Sequence, residues 1–237
     1  MFTSIAGYDA AGGYNIRVSR SKNPDGPYLD AAGNDMVLAN NNTETLSKYG
    51  VKLIGGFNFV SEVGDVADSW GYLSPGHNSA YYDAATKKTF LITHTRFPNR
   101  GEEHSVRVHE MWVNKDGWLV SSPQRYAPIE GTNIVDANDL VGDYRFINHG
   151  LDSNTTGHNS VYIRLNSDRT ITGEVSGYYR LSDTDNKRIT LVLGSDTYEG
   201  VMAWQWDAAA ERLVPTFSAI SSKGVSVWGS QLEARTT

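Results

Sequence analysis

Short apolar stretches separated by turn residues recur along the chain, and their period is close to two. Strand character appears at Tyr14–Ser19, Val51–Val60, Asn78–Tyr82, Thr89–Thr95, Ser105–Val113 and Trp118–Val120, with turn chemistry between, as in Asn23-Pro24-Asp25-Gly26-Pro27 and Asn114-Lys115-Asp116-Gly117. No convincing amphipathic helix interrupts them. In Ser105–Val113 the alternation of Val106, Val108 and Met111 with polar neighbours is imperfect, which predicts a strand covered on both faces. From Gly71 to Tyr126 the pattern is four strands in an up-and-down run, the unit of one propeller blade. Met1–Tyr28 reads as the later strands of a preceding blade, and Val51–Val60 as an extra strand or long insertion.

The polar, glycine-bearing stretch Ala127-Pro128-Ile129-Glu130-Gly131-Thr132-Asn133 marks a boundary near Pro128. Beyond it, period-two stretches fall at Gly142–Asn148, Ser160–Leu165, Gly173–Leu181, Arg188–Leu193, Gly200–Gln205, Arg212–Ser218 and Val225–Gln231. Seven or eight antiparallel strands of this length suffice to close a small barrel. The expected fold class is all-β: part of a β-propeller over residues 1–127, then a small antiparallel β-barrel over residues 128–237, with a linker at about 128–138. A closed propeller needs more blades than these residues supply, and the exposed strand edges left over point to truncation or to a partner chain.

Composition narrows the function. A net charge of −6 over 237 residues opposes a broad electrostatic hold on nucleic acid. The absence of cysteine removes disulfides, thiolate metal sites and Cys nucleophiles together. The first residues carry neither an export signal nor an apolar run long enough to span a bilayer, so no membrane role is expected. Strand character begins at Phe2, so Met1 reads as an internal methionine, and a signal could precede it. The 13 Tyr, 6 Trp and 23 Gly suit short aromatic strands joined by glycine turns.

Among residues that could carry chemistry, His77 stands between a Pro75-Gly76 turn and a strand start, a place where ligands collect in propellers; a lone histidine is also a common structural residue. His94, His104 and His109 lack the spacing and the carboxylate company of a zinc site, and zinc is rejected. Arg96 could bind sugar hydroxyls or pair with Glu102 or Glu103. Gly12-Gly13-Tyr14-Asn15 reads either as a turn presenting an aromatic ring and an amide to a sugar or as an ordinary hairpin turn with a core tyrosine. No nucleophile elbow, P-loop or dinucleotide fingerprint is present.

Four ordered blocks, GGYNIRVSRSKNPDGPYLDAAGNDM (Gly12–Met36), SPGHNSAYYD (Ser74–Asp83), FLITHTRF (Phe90–Phe97) and EEHSVRVHEMWVNKDGWLVSSPQRYA (Glu102–Ala127), resemble the endo-1,5-α-L-arabinanases of glycoside hydrolase family 43. LVGDYRFINHG (Leu140–Gly150) and GVSVWGSQ (Gly224–Gln231) resemble the barrel appended to the longer members. The resemblance implies a five-bladed propeller, here only in part, and a secreted enzyme cutting arabinan by inversion. It also implies three catalytic carboxylates N-terminal to the GGYN block, so no catalytic residue is assigned here and the missing N-terminal blades, from the same gene or a separate chain, are an expected partner. His77 matches the family histidine that holds a mostly water-coordinated calcium ion; Tyr14, Asn15 and Arg96 are the expected substrate-binding residues. Two alternatives stay open: a non-catalytic carbohydrate-binding or scaffold fragment, with Trp204, Trp206 and Trp228 as candidate stacking residues, or another family-43 activity, arabinofuranosidase or xylosidase.

Overall fold

A computed structural model describes residues 1–39, 43–62, 65, 68–128 and 134–232. Its strands in chain order are β1 (Phe2–Ile5), β2 (Asn15–Val18), β3 (Val51–Ile54), β4 (Phe57–Phe59), β5 (Trp70–Asp83), β6 (Lys88–Arg96), β7 (His104–Val113), β8 (Leu119–Ser121) and β9 (Gly142–Asn148). There follow β10 (His158–Asn159), β11 (Val161–Leu165), β12 (Thr170–Gly173), β13 (Gly177–Leu181), β14 (Arg188–Leu193), β15 (Asp196–Asp207), β16 (Arg212–Ser221) and β17 (Ser226–Gln231). A 3₁₀ turn at Met36–Leu38, capped by the Asp35 carboxylate on the Val37 N–H, and a one-turn helix at Thr43–Leu46 interrupt them.

The described strands form three units: a three-stranded sheet β1-β2-β3, a six-stranded sheet β10-β4-β5-β6-β7-β8, and a closed barrel β11-β12-β13-β14-β15-β16-β17-β9. The all-β class and the eight-stranded barrel match the sequence pattern. Closure is made by β9, which pairs with both β11 and β17. The propeller is not defined by these residues, because three strands and six strands of two separate sheets do not close a ring. The up-and-down run expected from Gly71 to Tyr126 is present as β5 to β8, enlarged by β4 and by the parallel strand β10. Of the expected linker, Ile129–Asn133 lie outside the described residues.

Three local expectations are corrected. The single strand Val51–Val60 breaks at Gly55-Gly56, where a Cβ on Gly55 would stand 2.4 Å from Lys52 Cε, and its halves join different sheets. Gly173, at φ 117°, ends β12, so the stretch Gly173–Leu181 begins with the end of one strand and turns into another. Strand β7 is not covered on both faces, since Val106 is 64% exposed while His109 and Met111 are buried.

Two apolar cores result. One fills the barrel around Tyr144, Phe146, Ile163, Tyr179 and Phe217. The other lies between the sheets and the outer wall of the barrel, where Ile16, Leu53, Phe57 and Tyr72 meet Ile147, Ile220 and Trp228. Trp228 is wholly buried and edge-on to Phe57 at 5.2 Å and to His149 at 4.2 Å, so it cannot stack on a sugar. Trp204 is half-buried and donates to the Ile134 carbonyl; Trp206 is half-buried on the same strand.

Polar bonds tie the same junction. Lys52 donates to the carbonyls of His149 at 2.6 Å and Asp152 at 2.7 Å, and Arg17 to those of Ser47, Tyr49 and Leu151. Burial pushes the Lys52 ammonium down to about 8 and the Arg17 guanidinium to about 10. Each charged hydrogen bond contributes about 1.5–3 kcal/mol against that desolvation, so the junction holds only while all its acceptors stay in place.

Candidate functional site

His77 does not follow a turn. Strand β5 runs through Ser74-Pro75-Gly76-His77 without a break, with left-handed backbone at Ser74 (φ 46°) and His77 (φ 50°). Its register against β6 slips between Leu73 and Gly76 and again between Gly76 and Ser79. Such bulges re-aim a side chain, and a proline is tolerated within one. The His77 imidazole is accordingly exposed although its neighbours Ser74, Pro75 and Gly76 are buried.

Gly76 is dictated by Tyr14: a Cβ there would lie 2.0 Å from Tyr14 Cδ1, so the ring rests directly on the glycine backbone. Thr93 Oγ1 donates to the Gly76 carbonyl at 2.5 Å and secures the bulge from β6. The loop between β1 and β2 is pinned over the same region, because Ser74 Oγ donates to the Asp9 carbonyl (2.6 Å) and the Ala10 N–H donates to Glu102 Oε1 (3.0 Å). Ser4 Oγ, donating to Asn78 Oδ1 at 2.8 Å, adds a third tie.

Around this frame the rings form a row. His94 lies 6.0 Å from His77, 5.9 Å from His104 and 6.2 Å from Tyr14, centroid to centroid. Arg96 Nε donates to Glu102 Oε2 at 2.6 Å, and Arg96 Nη1 stands 3.3 Å from His94 Nε2. Antiparallel pairing of Arg96 with His104 and of His94 with Val106 brings these groups together. Burial first, then the charges of Arg96, His104 and His77, hold the His94 imidazole below its ordinary value, so it is neutral near pH 7.

Of the expected substrate-binding residues, Tyr14 and Arg96 thus share one surface with His77. Asn15 does not: it is 1% exposed, its amide donates to the Gly13 carbonyl and to Ser153 Oγ, and its oxygen accepts from Arg17 Nε. It positions the turn rather than facing a ligand. Arg96 is already paired with Glu102, the commoner fate of such a residue. In the sequence His94 and His104 suggest only zinc ligands; the signal that places His94 here is its spacing of two from Arg96, which puts both on one face of β6.

The group can stack on a ring and donate hydrogen bonds, but its carboxylate is in the wrong state for proton donation. The Ala10 N–H, then Arg96, hold Glu102 below the ordinary carboxylate range, so it is ionised at neutral pH. Asp9 accepts from the Ala11 N–H within its own loop. Among the described residues no three His, Cys, Asp or Glu side chains converge on a metal position. A cation at His77 would therefore have one imidazole nitrogen from the protein, with water completing the shell that a hard ion requires.

The arrangement is that of an all-β chain in which two sheets, tied by side-chain hydrogen bonds, carry a partly exposed row of rings beside the half-buried Arg96 and lean on a closed barrel. The family model of the glycoside hydrolase family 43 C-terminal lipocalin-like domain matches residues 123–229. The extracellular endo-α-(1→5)-L-arabinanase 2 of Bacillus subtilis strain 168 is 46% identical in an alignment 237 positions long that covers 98% of this chain and 49% of the relative. The corresponding enzyme of Thermotoga petrophila is 43% identical over 98% of this chain and 50% of its own length. Among solved structures, the family-43 YxiA protein of Bacillus licheniformis superposes with a TM-score of 0.90 at 47% identity, over 98% of this chain and 52% of that one. The Thermotoga petrophila endo-1,5-α-L-arabinanase gives 0.90 at 44% identity, over 98% and 52%. Residues 123–229 thus match the C-terminal domain of glycoside hydrolase family 43, and the chain spans about half the length of the relatives it matches.

Proposed function

We propose that this chain is the later half of an endo-1,5-α-L-arabinanase, with residues 1–127 closing a five-bladed propeller and residues 128–237 forming the appended barrel. The observation that carries this reading is 46% identity to a named arabinanase across 98% of the chain, with only 49% of that relative covered. An open strand edge supports it. Residues Leu73–Asp83 of β5 have a partner on the β6 side, whereas β4 reaches only Trp70–Tyr72. Tyr81 and Tyr82 on this stretch are 56% and 55% exposed, a surface suited to a further blade.

In this reading arabinan lies across the surface bearing Tyr14, Arg96 and His77. The Tyr14 ring stacks on a sugar, and Arg96, oriented by Glu102, donates to its hydroxyls. Inverting hydrolysis needs a protonated acid and a carboxylate base far enough apart to admit water. Glu102 is ionised and bonded to Arg96, and in this reading both carboxylates come from the half that precedes these residues. A calcium ion held through His77 would supply positive charge beside the acid. Secretion follows from the relatives, which are named extracellular.

The test mixes this chain with a polypeptide matching the first half of the Bacillus subtilis relative and measures release of oligosaccharides from linear arabinan. Release by the mixture and by neither part alone supports the proposal. Hydrolysis by this chain alone refutes it.

A further inference from the structure

A cleft of about 260 Å³ opens between the six-stranded sheet and the β15–β16 hairpin of the barrel. Its walls include Trp70, Tyr72, Phe97, Arg100, Arg107 and Arg125, none of which belongs to the His77 group. Three guanidiniums lining one small cleft make a positive patch that an anion would complement.

The compensation within the protein is partial. Arg100 pairs with Glu103 at 3.1 Å, both largely exposed. Arg107 Nη1 donates to Ser105 Oγ at 2.7 Å and to the Val106 carbonyl at 2.9 Å, both neutral acceptors. Among the described residues neither Arg107 nor Arg125 has a carboxylate within ion-pair distance. The acid next to the cleft in sequence, Asp207, is committed to Arg145 and to the N–H groups of Ala209 and Ala210.

Two further donors belong to residues that line the cleft. Tyr72 is 2% exposed, and its hydroxyl makes no well-formed hydrogen bond although Arg107 and Arg125 are near. Trp70 Nε1 is likewise buried without an acceptor. Burial pushes the Tyr72 phenol up to about 12, so it remains a donor across physiological pH. A buried donor without an acceptor is unfavourable, so both raise the local demand for oxygen acceptors. Arg107 and Arg100 lie over the Phe97 ring at 4.8 and 5.3 Å, which fixes their planes.

We propose that this cleft binds a carboxylate-bearing sugar, a uronic acid, at a position separate from the His77 surface. The guanidiniums of Arg107 and Arg125 take the carboxylate, and Trp70 and Phe97 supply an apolar wall for the ring. A bare inorganic anion would leave the aromatic wall without a role. The choice of a sugar acid rests on the carbohydrate-acting reading above, but its test does not involve hydrolysis.

Glucuronate, glucose and inorganic phosphate are titrated separately into the 237-residue chain while ligand-observed saturation transfer and tryptophan fluorescence are followed. Glucuronate should saturate the response and glucose, which lacks the carboxylate, should not. Arg125→Gln, at an exposed position that leaves folding intact by circular dichroism, should weaken glucuronate about tenfold, the scale of one lost charge-assisted contact. Arg107→Gln should do the same, and His77→Ala should change nothing. An equal response to glucose, or unaltered binding by Arg125→Gln, would overturn the proposal. Phosphate matching glucuronate would reduce the cleft to an adventitious ion site only and overturn it as well.

Discussion

Replacing Arg145 by methionine isolates a buried ion pair within the barrel, between β9 and the end of β15, that also reaches Asp65 outside it. Arg145 on β9 is 1% exposed; its Nη2 lies 2.7 Å from Asp207 Oδ2 at the end of β15 and its Nη1 3.4 Å from Asp65 Oδ2, between β4 and β5. The guanidinium also lies over the Phe59 ring of β4 at 5.3 Å. Methionine fills much of the same volume but leaves the Asp207 carboxylate, at 0% exposure, without its cation. Removing one partner of a buried pair costs about 3–5 kcal/mol, because the remaining charge is uncompensated. For a chain of this size the urea m-value is about 3 kcal/mol/M, so the midpoint should fall by about 1–1.7 M. Adding Asp207→Asn should recover about 1–2 kcal/mol, since an amide oxygen still accepts from the Ala209 and Ala210 N–H groups without a buried charge. A loss below about 1 kcal/mol in Arg145→Met, or strict additivity in the double variant, would refute an interior pair.

Gly76→Ala should destabilise by about 1–3 kcal/mol and displace Tyr14, since the new methyl would overlap a ring atom at 2.0 Å; urea unfolding and the Tyr14 ring proton shifts report both effects. Stability should fall with acid through the buried histidines. Burial pushes His109 down to about 4 and holds His149 well below its usual value, so below about pH 6.5 the unfolded chain takes up protons that the folded chain refuses. The His109 part is present above that pH and is lost between about 6.5 and 4, on the order of 3 kcal/mol. Denaturation midpoints at pH 7, 5.5 and 4.5 check it, and His109→Gln should flatten the curve.

What the sequence revealed and what it hid follow from whether a signal is local. Strands β9 and β14 begin and end where the alternation of Gly142–Asn148 and Arg188–Leu193 does, because a strand with one face on a core carries its own pattern. The two-residue strand β10 has no such pattern; His158 and Asn159 are strand only because Phe57 and Asn58 lie beside them, some hundred positions earlier in the chain. Arg17 and Lys52 are charged residues on strands, yet both are buried, bonded to carbonyls of residues 149–152 that no local pattern couples to them. The His77 surface was half legible: the motif marked His77, Tyr14 and Arg96, while the inward turn of Asn15 depends on Ser153 and Arg17. The Arg107 and Arg125 cleft needs the barrel hairpin for its far wall and so leaves no trace in one segment.

The proposed division of labour, a ligand-binding half here and a proton-donating half before it, is tested most directly by a chimera in which this chain replaces the matching half of the Bacillus subtilis arabinanase. The kcat of that chimera on linear arabinan should fall within about tenfold of the parent, and His77→Ala within it should cost about a hundredfold, the scale of one lost electrostatic contact in a transition state. A folded chimera without activity, or a His77→Ala chimera as fast as the unaltered one, would contradict it.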